Sequence, residues 1–270
     1  MDATFIIQLA ANGLSVGMGY ALAAVGLALV FGILEQVNFA HGELYMLSAF
    51  VMFTSAHGLG LSYPAAFVLT LLLSAAMGYA LAGIALLPTL NRPFESVILA
   101  TFALSVVAQN AVRLIYGATP REVEAPLEAV ILEWGGVLIF GQRLLIVGLG
   151  VMSFIGLGLF LRHTETGRAM RAVAQNKDAA LMVGIDIRRM TRITATLGAL
   201  MTGLAAATIA PLFDLYPNMG SDVVFKSFAV VIIGGCFFDG SCASGIRCSG
   251  LQFLGVHWWA PAGLLVSSHS

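Results

Sequence analysis

The sequence predicts an all-α, polytopic integral membrane protein with about seven to eight transmembrane helices and a short or broken second span. Two observations carry this. Of 270 residues, 59% are hydrophobic and only 10% charged, against ~45–50% and ~25% in a soluble domain, and mean hydropathy is +0.93. Too few charges remain to cover that much apolar surface in water. The apolar residues also fall in charge-free runs as long as a bilayer core, which takes about 20 residues per helix, and not in the ~10-residue alternating strands of a membrane barrel. A soluble enzyme and a disordered chain are excluded on composition. A formal net charge of −1 leaves no electrostatic footprint for nucleic acid.

Ala3 to Leu34 has no Asp, Glu, Lys or Arg for 32 residues. No basic residue precedes it, and it far exceeds the ~7–15 residues of a signal-peptide core, so it is expected to stay in the chain as a first span near 5–33. Leu44 to Asn91 is charge-free for 48 residues, room for two spans near 44–56 and 64–88, separated by Gly58, Gly60 and Pro64. The first of the two is short. It is either a broken helix lining a cavity or a tilted, half-buried one. Ser96–Val112 (17 residues), Leu144–Leu161 (18) and Ile193–Phe213 (21) give spans near 96–116, 143–161 and 193–212. A seventh is expected near 224–237.

Seven of the 13 Lys and Arg lie between Arg162 and Arg192, and basic loops mark the cytoplasmic side. Gly117–Gln142, with Arg121 against Glu122, Glu124, Glu128 and Glu133, falls outside, Arg92 inside and the N-terminus outside. Within the basic loop, Met170, Val173 and Ala174 make one apolar stripe at helical spacing. Asn176 is a plausible N-cap for a second short helix running to Val183, and Gly184 suits the left-handed position that ends it. Helices this short need a surface to lie on: the ends of their own membrane helices, or a partner. The loop is either an ordinary basic loop or a coupling element for a separate motor, since the chain has no Gly-x-x-x-x-Gly-Lys-Ser/Thr phosphate loop of its own.

Four stretches together resemble the LivH-type permease subunit of branched-chain amino acid ABC importers: Gly19–Gly32, then Val37-Asn38-Phe39-Ala40-His41-Gly42-Glu43 through Leu47, then Gly167–Gln175 with Ala179-Ala180 and Gly184-Ile185-Asp186, then Phe225–Gly235. The resemblance covers roughly residues 5–235. It implies a multi-pass subunit of a bacterial inner membrane, paired with a second, LivM-like permease, driven by two cytoplasmic ABC ATPase subunits and supplied by a periplasmic substrate-binding protein. It further implies that loop 162–192 is the ATPase contact, through Gly167, Arg168, Arg171, Ala179, Ala180 and Gly184. The substrate implied is a branched-chain amino acid; urea and short amides are the alternative within the family. Outside it, the alternative is a stand-alone ion-coupled transporter using Glu35 and Glu43.

Asn38, His41 and Glu43 sit between two apolar runs. Polar groups at membrane depth face a cavity or another helix, so these either line the substrate path, hold a broken helix by hydrogen bonds, or sit solvated at the interface. Asn12, Gln109 and Asn110 are expected to hydrogen-bond between helices, and Gly13 with Gly17 to form a close helix contact, or else an interface with the partner permease. Asp214, Asp222 and Lys226 read as surface charges. No catalytic set, metal spacing or cofactor motif stands out. Residues 1–235 form the permease domain. The tail 236–270 diverges from the resemblance: it holds all three Cys, two of three Trp and six Ser. It reads as a change of frame, and poor assembly or inactivity is expected of a chain that ends this way.

Overall fold

The computed structural model describes residues 3–34, 38–90, 92–123, 131–134 and 137–233. The tail 236–270 and Glu35 lie outside these. Helix α1 (Ala3–Leu34) is followed by α2 (His41–Phe53), which runs into a π-helical turn at Thr54–Gly58. Then come α3 (Tyr63–Leu81), a second π turn (Ala82–Leu86), the short α4 (Leu87–Thr89) and α5 (Phe94–Tyr116). An antiparallel hairpin of β1 (Ile131–Trp134) and β2 (Val137–Phe140) leads to α6 (Gly141–His163). Two short helices, α7 (Glu165–Gln175) and α8 (Lys177–Met182), precede α9 (Ile187–Ile209), a 3-10 turn (Ala210–Leu212) and α10 (Met219–Ile233).

Each of the seven expected spans falls on helical structure, the end of the seventh, 234–237, lying outside the described residues. Among the described residues five are long and apolar enough to cross a bilayer unaided: Phe5–Leu34, Tyr63–Thr89, Glu95–Tyr116, Gly141–His163 and Ile187–Leu212. Helix α2, at 13 residues, is about 20 Å long and falls short. The hairpin has no counterpart in the sequence pattern of 117–142, which only places that segment outside; Ile131 pairs Phe140 and Trp134 pairs Val137.

Contacts between helix ends fix their directions. Lys177 donates to the Leu34 carbonyl (2.8 Å), so the end of α1 lies beside the basic α7–α8 pair. Tyr63, opening α3, bonds the Ala207 carbonyl near the end of α9 and receives Gln142 from the start of α6. Tyr116 ends α5 against Thr54 at the end of α2. Helices α1, α3 and α6 therefore run toward the basic end of the molecule, and α2, α5 and α9 away from it.

Helices α1 and α9 form the enclosed centre, while α5 and α6 are mostly exposed and present Leu99, Phe102, Leu114, Met152 and Ile155 outward, as lipid-facing helices do. The central crossing depends on two glycines. A Cβ on Gly26 would stand 2.6 Å from the Gly198 carbonyl oxygen, and one on Gly198 would stand 2.8 Å from that of Gly26. At Gly13, among the described residues, nothing lies within 4 Å of a Cβ.

Candidate functional site

Two features stand apart from ordinary packing. The first is the start of α2. The chain leaves α1 at Leu34, beside the basic loops, yet His41 already touches Ala23, eleven residues back along α1. That is about 16 Å of helix rise, so α2 begins deep among the spans and not at a surface. Helix α2 is only 13 residues long, the broken arrangement that the short second run allowed.

Its polar residues are enclosed: Asn38, His41 and Glu43 are 0%, 1% and 3% exposed. Asn38 Oδ1 accepts from the Ala40 amide (3.0 Å) and so shapes the entry to the helix. His41 Nε2 lies 3.2 Å from the Ala23 carbonyl oxygen and 2.7 Å from Thr202 Oγ1. Thr202 spends its own proton on the Gly198 carbonyl, which assigns the hydrogen to His41 Nε2. Glu43 Oε1 accepts from Ser105 Oγ and Gln109 Nε2, both at 2.7 Å. Gln109 also reaches Ser221 Oγ (3.0 Å). One carboxylate thus joins α2 and α5, and through Gln109 reaches α10.

Gly42 and Gly220 meet backbone to backbone at the same point, and a Cβ on Gly220 would fall 2.8 Å from Glu43 Oε2. Two helix amino-termini converge here, and their partial positive charge favours a carboxylate. In this conformation the three polar residues are a brace and have no exposed surface with which to touch a solute. Among the described residues, Asn38 Nδ2, His41 Nδ1 and Glu43 Oε2 have no hydrogen-bond partner.

The second feature is the α7–α8 elbow. Thr164 Oγ1 caps α7 by accepting from the Gly167 amide (3.0 Å). Asn176 Oδ1 caps α8 by accepting from the Ala179 amide (2.9 Å). Gly184 has φ +83°, and the amides of Gly184 and Ile185 return to the carbonyls of Leu181 and Ala180, closing the helix end. Met170, Val173 and Ala180 are buried against Ile33, Leu34, Leu157, Leu161 and Met190. The apolar stripe therefore rests on the ends of the chain's own spans. A Cβ on Gly167 would stand 2.5 Å from the Phe160 carbonyl oxygen, so α7 lies directly on α6. What remains outward is Arg168, Ala179, Gly184 and the ridge Leu181, Met182, Val183, with Met182 87% and Val183 76% exposed. Arg171 is half-buried. The Arg168–Glu165 pair, 3.8 Å apart and exposed, adds little.

The sequence matches the family described as branched-chain amino acid transport system / permease component over residues 9–264. The chain belongs to this permease family. BraD, a high-affinity branched-chain amino acid transport system permease protein of Pseudomonas aeruginosa, is 28% identical over 242 residues, covering 85% of this chain and 79% of BraD. LivH of Escherichia coli K12, named for the same transport, is 28% identical over 251 residues, or 86% and 79% of the two chains. The ribose import permease protein RbsC of the same organism is 25% identical over 224 residues, 82% and 67%. No solved structure matches. The permease is accordingly a multi-pass transport subunit.

Of the site residues in the permease, Ser105, Ser221 and Thr202 carry no signal in the sequence, because a single hydroxyl in an apolar helix is common. Gln109 bonds between helices as expected, whereas Asn110 turns back to its own helix at Val106. Asp222 and Lys226 are exposed, as expected of surface charges, yet each is held by a tyrosine: Tyr216 donates to Asp222, and Lys226 donates to Tyr20 Oη (3.0 Å).

Proposed function

We propose that this permease forms half of the translocation path of an ATP-driven importer of branched-chain amino acids in a bacterial inner membrane. In this reading it pairs with a second, LivM-like permease, receives solute from a periplasmic binding protein and is moved by two ABC ATPase subunits. The observation that carries the reading is the elbow. Its inner stripe is consumed by the ends of α1, α6 and α9, yet it keeps an outward apolar ridge at Leu181–Val183 beside a strongly basic surface. A ridge of that kind, capped at both ends and tied to three spans, suits docking to a motor.

The mechanics follow from the ties. Gly167 seats α7 on α6, Lys177 holds the last carbonyl of α1, and Asp186 Oδ1 caps α9 by accepting from the Arg188 and Arg189 amides. A displacement of α8 by a closing motor is therefore passed to three spans together, as a rigid-body shift. Gly167, Arg168, Arg171, Ala179, Ala180 and Gly184 are the residues assigned to this coupling. Asn38, His41 and Glu43 are assigned to holding the wall of the path. The test is co-purification: the tagged chain, expressed with its genomic neighbours, is expected to carry an ABC ATPase and a second permease through detergent extraction. Recovery of the chain alone would overturn the reading.

A further inference from the structure

Helix α10 buries Val223, Val224, Ser227 and Val231 and leaves Asp222, Phe225, Lys226, Ala229 and Ile233 outward. Two of these are charged, and their depth matters. The Lys226 ammonium lies on Tyr20, 3.0 Å from its hydroxyl and 4.8 Å from the ring centroid. Tyr20 sits near the middle of α1, about 21 Å of helix rise from Leu34 and about 25 Å from Ala3. A charge at that depth faces water or another polar surface, because hydrocarbon excludes it.

Acid followed four residues later by base is the order that ordinarily closes an ion pair along a helix. Here it does not: among the described residues the one ion pair is Arg168–Glu165. Each charge is turned to a tyrosine instead, Asp222 to Tyr216 and Lys226 to Tyr20. Two opposite charges are thus held about 6 Å apart along the helix axis, with the exposed Phe225 ring between them on the same stripe. Through Ser221, the Glu43–Gln109 chain fixes the rotation of α10 at this point.

We infer that Asp222 and Lys226, oriented by Tyr216 and Tyr20, form a two-point subsite for a zwitterion on the translocation path, Asp222 taking the ammonium, Lys226 the carboxylate and Phe225 the apolar side chain. The inference deepens the import reading and rests on it for the direction of transport. It also separates substrate classes. A free amino acid satisfies both charges. A sugar, urea or a short amide leaves both without a counter-charge, which charge-assisted bonding makes a poor exchange.

The test is carried out in membranes from cells expressing the full chain with its neighbours. Cys236, Cys242 and Cys248 are replaced by Ser, and Ala229→Cys places a thiol one turn beyond Lys226. A cationic, membrane-impermeant methanethiosulfonate is expected to modify it. Leucine is expected to slow the reaction about tenfold, while isovaleramide, which keeps the branched chain but lacks both charges, leaves the rate unchanged. In the same background Asp222→Asn and Lys226→Gln are each expected to abolish protection by leucine without abolishing modification. Absence of modification means that lipid or the second permease covers the stripe, and overturns the subsite. So does modification that leucine does not slow, or that isovaleramide slows equally. Failure to recover an ATPase in the co-purification removes the import reading and leaves the labelling result standing.

Discussion

Glu43 is placed where its loss should be felt by three elements at once. Its Oε1 satisfies Ser105 and Gln109, and Gln109 carries the tie to Ser221. Glu43→Ala leaves buried donors without an acceptor, a change worth about 1–3 kcal/mol. Glu43→Gln keeps a carbonyl oxygen for both. Thermal unfolding in detergent is expected to show a clear loss for the alanine variant and a smaller one for the glutamine variant; equal losses would show that the tie does not hold the helices. A second contrast concerns glycine. Gly26→Val sets a side chain against the Gly198 carbonyl, Thr202 and His41 and is expected to remove most folded protein in fluorescence-detected size exclusion. Gly13→Ala meets nothing within 4 Å and is expected to behave as the parent. Asn38, His41 and Glu43 were legible in the sequence because polar residues between apolar runs stand out. Their partners were not, since Ser105, Thr202 and Ser221 lie 62 or more positions away and resemble any hydroxyl in a span. The Gly13–Gly17 spacing has the same limit: it marks a helix face on which backbones can approach, and does not say what stands opposite.

At the scale of elements, the elbow shows what local chemistry can and cannot announce. Its caps and its left-handed glycine are short-range features, and Asn176, Gly184 and the Met170–Val173 stripe read directly from sequence. The partner of the stripe did not, because Leu157, Leu161 and Met190 belong to other spans. The short second run likewise allowed a broken helix, but only the contact of His41 with Ala23 fixes where it begins. The hairpin over 131–140 was missed altogether: two four-residue strands beside a Gly-Gly pair are too brief for a period to emerge. If α8 is the docking element, polarity on its outer ridge should uncouple transport and leave the fold intact. Met182→Glu is expected to abolish ATP-dependent leucine uptake in proteoliposomes containing the assembled importer, because it carries a charge into an apolar contact. Arg171→Glu and Gly184→Trp are expected to do the same, the latter because φ +83° disfavours a bulky residue. Membrane insertion, measured by alkali-resistant fractionation, should not change in any of the three. Undiminished uptake would remove the coupling role.

The whole molecule has an enclosed pair, α1 and α9, with α5 and α6 turned outward and a polar stripe on α10 set against the middle of α1. The chain contains no phosphate loop, and a solute moves up a gradient only when its passage is linked to a second, downhill process. One rival source of that process is an ion gradient acting at Glu35 and Glu43, of which Glu35 lies outside the described residues. Glu43 is 3% exposed and its Oε1 already accepts two hydrogen bonds, so burial and hydrogen bonding occupy this carboxyl in this conformation. The two sources separate cleanly in one experiment. The chain and its companion permease, reconstituted without the ATPase subunits and given a proton or sodium gradient, are expected to show no accumulation of leucine above the external level. Adding the ATPases, the binding protein and ATP is expected to produce it. Uphill accumulation in the first condition would place the energy source within the membrane subunits and end the claim that the elbow at Leu181–Val183 is where work enters the protein.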